Sequence, residues 1–157
     1  MGNLISDERI AHMHGVAEWM YSHAHEFGCE EIKDEMYLLG LVHDIGYIYG
    51  HNDHEQRGAE LLGEDSYYGK IVKAHGLTPQ EYKDQNNCFD TEIPNEIVLL
   101  WTADLMIDID GKEVGFAERA KGIAVRYGAD SPEFLKTKEK ILWLENRKAI
   151  EFLTKIN

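Results

Sequence analysis

The chain is short of cysteine, proline, basic residues and long apolar runs, and each shortage removes a class of protein. Two cysteines in 157 residues, Cys29 and Cys88, allow one disulfide at most. Their flanks, GCEE and NNCF, carry neither metal-ligand nor redox spacing, so two reduced thiols are expected. Three prolines against 14 glycines, with 43% hydrophobic residues, exclude a collagen-like, disordered or low-complexity chain. Sixteen Lys+Arg against 29 Asp+Glu leave a formal charge of −13, which repels the phosphate backbone of a nucleic-acid polymer and removes it as an expected partner. No apolar run approaches the roughly 18 residues that argue for a membrane span. The opening MGNLISDERI lacks the apolar centre of a signal peptide, so the expectation is a cytoplasmic protein with no membrane partner. Gly2 to Ser6 fit the short myristoylation pattern formally, as many start sites do, and lipidation is not expected.

What is present is helix signal. Ile10, Met13, Val16, Ala17, Met20, Ala24 and Phe27 recur at three- and four-residue spacing behind the candidate caps Ser6 and Asp7, and Gly28 stops them. Ile32 to Ile45 predicts a buried helix ending at His43-Asp44, with Gly46 as a left-handed cap. Asp53 and Gln56 read as a capping box for a short helix to Gly63, and Tyr67 to His75 gives another. Thr78-Pro79 opens a brief helical turn and Lys83 to Ile93 reads as polar loop. Asn95 to about Asp108 is apolar nearly all round and belongs at the centre. Phe116 to Tyr127 is amphipathic, and Ser131-Pro132 starts a last helix whose Phe134, Leu135, Ile141, Leu142, Leu144, Phe152 and Leu153 are expected to face inward. With no internal repeat and no linker, the expectation is all-α: one compact bundle of about seven helices forming a single domain over 1–157. At this size about 68–70% of the unfolded surface can be buried, so a metal ion would serve chemistry and not hold the fold together.

All eight histidines precede residue 76, at 12, 14, 23, 25, 43, 51, 54 and 75. Imidazole and carboxylate are ligands for divalent ions, and helical bundles build such sites from inward-facing side chains on several helices. The doublet His43-Asp44 is the informative pair, because neighbours on a helix point about 100° apart and reach one ion most readily where the helix ends.

These blocks resemble the HD-domain superfamily of metal-dependent phosphohydrolases. RIAHMHGVA is similar to the first motif, with Val16 setting the register on His12 and not His14; LLGLVHDIGY supplies His43 and Asp44; DHEQRGAELL supplies His54; IVKAHG supplies His75; and LLWTADLM supplies Asp104. The resemblance implies an HD-like fold and metal ligands His12, His43, Asp44, His54, His75 and Asp104. It also implies one or two divalent ions (Fe, Mn, Co, Ni, Zn or Mg), with two favoured by the His54 and His75 pair and Asp44 bridging them. By this resemblance a metal-activated water hydrolyses a small-molecule phosphate ester or nucleotide. Two carboxylates against two divalent ions leave about +2 in the pocket, which attracts phosphate.

Many hydrolytic members continue the doublet as HD-x-G-K with a phosphate-contacting lysine, and here that position is Tyr47. Arg9 is the preferred substitute, one turn before His12, with Lys70 and Lys73 as others, so Asp44 and Arg9 stand as the expected catalytic residues. The GYP sequence of cyclic-dinucleotide phosphodiesterases is absent, as is a P-loop. His14, His23, His25 and His51 match no ligand position and read as surface or supporting groups. Tyr47, Tyr49, Tyr67, Tyr68 and Trp101 could stack on a nucleobase, but aromatic residues at helical spacing usually belong to cores. Lys136, Lys138, Lys140, Arg147 and Lys148 alternate with acids and read as surface ion pairs, not as a phosphate patch. Two alternatives stand beside the hydrolase: a di-iron oxygenase of the same superfamily, and a non-catalytic ligand-sensing module. Homodimerisation is left open.

Overall fold

A computed structural model describes residues 5–50 and 53–156; Gly2 and His51, named above, lie outside the described residues. Among the described residues eight α-helices follow in order: α1 (Asp7–His23), α2 (Lys33–Val42), α3 (His54–Leu62), α4 (Tyr67–Ala74), α5 (Pro79–Asn86), α6 (Asn95–Met106), α7 (Phe116–Tyr127) and α8 (Pro132–Ile156). Short 3₁₀ turns join them, and among the described residues the one β-pairing is an isolated antiparallel bridge between Ile107 and Glu113. The fold is all-α, and no described helix is long and apolar enough to cross a membrane.

Helix α6 is the axis. Ile97 to Ala103 and Leu105 are all buried, so it is covered from several sides and holds α1, α2, α4, α7 and α8 around it. Each large apolar side chain it buries is worth roughly 1.5–3 kcal/mol against exposure. Helix α1 lies on α2 at close range because Gly40 faces Ala17: a Cβ at residue 40 would stand 2.5 Å from the Ala17 Cα. That approach brings His12 of α1 beside His43 at the end of α2.

Four expectations are corrected by the structure. Thr78 caps α5 with a capping box to Glu81, satisfying the first-turn N–H groups, so the brief turn is a full helix and the loop beyond Lys83 begins only after Asn86. Asp53 caps nothing: it has φ 56° and no side-chain bond to the start of α3. Gly46 does not need a left-handed φ; its requirement is space, since a Cβ there would fall 1.8 Å from the His54 carbonyl oxygen. The last helix also differs from its expected inward stripe. Leu144 is buried and Ile141 packs on the core, but Leu135, Leu142, Phe152 and Leu153 are exposed. A 25-residue helix runs about 37 Å, and its final turns are exposed throughout.

Gly40→Ala is expected to lower unfolding free energy by roughly 1–3 kcal/mol through overpacking against α1. Gly122→Ala in α7, where an added Cβ meets nothing within 4 Å, should raise it by about 0.4–1 kcal/mol. Urea denaturation of both variants checks the pair, and equal effects would contradict this account of the α1–α2 contact.

Candidate metal centre

Six side chains from five places in the chain converge at one end of the bundle. His12 comes from α1, His43 closes α2, and Asp44 follows it in a non-helical conformation (φ −107°, ψ 16°) that lets both members of the doublet turn toward the same point. His54 opens α3, His75 closes α4, and Asp104 sits in the last turn of α6. One donor atom from each of His12, His43, Asp44 and Asp104 lies within 4.8 Å of all the others, and the same holds for Asp44, His54 and His75.

Asp44 belongs to both groups and divides its oxygens between them. Its Oδ2 lies 3.3 Å from His43 Nε2 and 3.8 Å from His12 Nε2, while Oδ1 lies 3.5 Å from His54 Nε2 and 3.4 Å from His75 Nε2. Asp104 Oδ1 completes the first group at 2.8 Å from His12 Nε2 and 3.3 Å from His43 Nε2. His12, His43, Asp44 and His75 are buried, and Asp104 and His54 are partly open at the rim.

The backbone sets the tautomers. His12 Nδ1 donates to the Asp108 carbonyl at 3.0 Å, His43 Nδ1 to the Gly40 carbonyl at 2.7 Å, and His75 Nδ1 to the Val72 carbonyl. A carbonyl only accepts, so the proton sits on Nδ1 and Nε2 presents a lone pair inward. Those lone pairs face carboxylate oxygens, acceptor against acceptor, and the arrangement requires positive charge between them. A proton on His43 is one source of it. Burial alone would lower the pKa of His43, but the Asp44 and Asp104 carboxylates raise it to about 10. Burial would likewise raise Asp44 and Asp104; His43, His54 and His75 hold Asp44 well below the usual carboxylate range, and His12 and His43 do so for Asp104. Divalent ions fill the same need more strongly, and a neutral Nε2 whose other nitrogen is held by a carbonyl is the form a metal accepts. The donor set therefore fits a divalent metal ion.

The expected lysine position is also occupied in an informative way. Tyr47 stacks on His54, with ring centroids 4.1 Å apart, and Arg9 lies over its ring at 3.9 Å. Arg9 Nη1 donates to Asp44 Oδ2 at 3.1 Å. Lys70 is exposed on α4 and Lys73 likewise. Of the other histidines, His14 and His25 are exposed and His23 stacks on Trp19. Trp101 is core, Tyr49 is exposed, and Tyr67 donates to Glu96.

A family profile described as the HD domain matches residues 9–87. The chain belongs to the HD-domain family. No curated protein and no solved structure matches it. The matched segment carries five of the six donors of this HD domain; Asp104 lies beyond it, on α6.

Three neighbours of the centre escape sequence reasoning. Glu55 Oε1 is 3.3 Å from His54 Nε2, and its place directly after a candidate ligand is the only signal for it. Arg119 of α7 donates from Nε to the Asp104 carbonyl at 3.2 Å. Lys140 of α8 donates from Nζ to the His75 carbonyl at 2.9 Å, where it caps the end of α4. Lys136 forms an ion pair with Glu81, as the alternating charges predict, but Lys140 is turned inward and corrects that reading. Nothing in the local pattern distinguishes the two lysines.

The pH dependence has a definite sign. His43 titrates higher when folded than its ordinary 6.5, so its stabilising contribution to the metal-free protein is complete below pH 6.5 and is lost as pH rises through about 10. Asp44 and Asp104 titrate lower when folded, so theirs is present above the ordinary 3.8 and is lost in stronger acid. Thermal unfolding of EDTA-stripped protein should show Tm falling from pH 7 to pH 9.5. Saturating Mn²⁺ under argon should flatten that slope, since the ion takes the proton's place. Equal slopes in the two conditions would show that no ion binds among these residues.

Proposed function

We propose that this HD domain is a two-metal phosphohydrolase acting on a small-molecule phosphate ester or nucleotide. The observation carrying the reading is the split of Asp44, one carboxylate oxygen toward each histidine group. His12, His43, Asp44 and Asp104 would hold one ion, and Asp44, His54 and His75 a second. When bound, the ions would supply an acidified water as nucleophile and neutralise charge that develops on phosphoryl oxygens.

The chain's own residues do the holding and orienting. The carbonyls of Asp108, Gly40 and Val72 fix three imidazoles with Nε2 inward, so no ring must rotate to serve. Arg9 holds Asp44 and lies over the Tyr47 ring, which in turn packs on His54; this stack ties the bridge to the second group and makes Arg9 a positioning residue for Asp44. The buried floor under His43 excludes water from that side, while the partly open Asp104 and His54 mark where a substrate approaches. Hydrolysis would transfer the phosphoryl group to water and release the alcohol with a proton.

The test is a panel of p-nitrophenyl phosphate, bis-p-nitrophenyl phosphate and nucleotides with Mn²⁺, Fe²⁺, Co²⁺ or Mg²⁺, alongside metal analysis. Wild type should show metal-dependent phosphate release, and His43→Ala or Asp44→Ala should reduce it on the order of 100-fold or more. Asp44→Ala should lose metal yet keep its helical circular dichroism, because apolar burial around α6 holds the core. Phosphate release indifferent to both substitutions would defeat the assignment. Dioxygen consumption with two irons bound would transfer the same donor set to oxygenase chemistry.

A further inference from the structure

Two cationic side chains reach the centre from helices beyond the matched HD segment. Lys140 is anchored on the carbonyl of His75 and Arg119 on the carbonyl of Asp104, so each is fixed to the backbone of a different candidate ligand, one from each histidine group. Burial works to lower the Lys140 pKa, and Asp104 and Glu55 are the carboxylates that most oppose it.

Neither cation forms an ion pair among the described residues. Of the six half-buried Lys and Arg side chains among the described residues, Arg9, Lys33, Lys83 and Arg147 pair with a carboxylate, and Lys140 and Arg119 do not. Each is half-buried, and each is seen to spend one N–H on a carbonyl. An ammonium has three donors and a guanidinium five, so further donors remain on both. Holding a half-buried cation without a counter-charge costs solvation energy that an apolar side chain would not. A lysine is not needed to pack that space. Arg9 is engaged on both sides, by Asp44 and by Tyr47, and is less available than these two for an incoming anion.

We propose that Lys140 and Arg119 form the anion-recognition wall of the centre and hold the substrate's phosphate, the task left open by Tyr47 at the expected lysine position. The inference rests on the phosphohydrolase reading and deepens it: the ligand class is a phosphate monoester or nucleotide bearing at least two negative charges. Two cations beside a pair of metal ions match a dianion better than a singly charged diester.

The test uses the full chain loaded with Mn²⁺ and inorganic phosphate as the probe, with binding followed by calorimetry and, where turnover exists, by competition with p-nitrophenyl phosphate. Lys140→Met and Arg119→Met should each weaken phosphate binding about tenfold or more at unchanged metal content, and Lys140→Arg should recover most of the loss. In turnover, the Met variants should raise KM more than they lower kcat. A role limited to capping α4 would lower Tm and leave phosphate affinity at equal metal content unmoved. Should Lys140→Met fail to fold, Lys140→Gln, which removes the charge but keeps an N–H donor for the His75 carbonyl, takes its place beside Arg119→Met.

Phosphate affinity within about twofold of wild type in metal-loaded Arg119→Met and in the charge-removing Lys140 variant overturns the inference, and so does wild type that binds no phosphate at millimolar concentration. If the variants lose phosphate while no ester is hydrolysed, the wall stands and the hydrolase reading falls. If metal-dependent hydrolysis is present and the variants bind phosphate normally, the reverse holds.

Discussion

Imidazole lone pairs aimed at buried carboxylate oxygens form an arrangement that repels itself unless positive charge lies between them, and the rest of the structure is organised around that need. Backbone carbonyls on Asp108, Gly40 and Val72 commit the Nδ1 protons of His12, His43 and His75, so those rings cannot relieve the conflict by changing tautomer. The same attraction raises the pKa of His43 and depresses those of Asp44 and Asp104. A protein that buried these groups only for packing would do better with apolar side chains of the same volume. Their presence beside a core otherwise made of Val16, Met20, Leu39, Leu99 and Trp101 fits residues that could hold a metal ion.

Much of this was legible in the sequence because its signals are local. The His43-Asp44 doublet at a helix end, the order of His12, His54, His75 and Asp104 around it, and the all-round apolar stretch of α6 each depend on spacing alone. What spacing does not carry is which neighbour will be close in space. Gly46 looks like a helix stop and is instead the gap through which the 3₁₀ turn passes the carbonyl of His54. Asp53 and Gln56 look like a capping box, but the chain enters α3 with Asp53 in the left-handed region, and no cap forms. The stripe of α8 is amphipathic by count, yet the bundle is too short to cover it, so Phe152 and Leu153 remain exposed. Lys140 is the sharpest case. Its neighbours Lys136 and Lys138 point to water, and only tertiary placement of α8 against the end of α4 turns Lys140 inward.

The division of labour along the chain follows from the same geometry. The matched segment supplies the histidines and the Asp44 shared by both groups, donors that could hold a divalent ion but do not by themselves choose a substrate. The chain after it supplies Asp104, the carbonyl of Asp108 that aims His12, and the two cations on α7 and α8. Metal coordination makes a phosphoryl oxygen a good ligand whatever it is attached to, so discrimination among phosphate compounds has to come from charges and shape outside the donor set. Those charges sit on helices joined to α6 by the Ile107–Gly115 excursion, which packs on α1 through Gly111 and Ala11. That one segment carries the Asp108 carbonyl that aims His12 and leads into α7, which bears Arg119, so the orientation of His12 and the placement of Arg119 depend on the same stretch of chain.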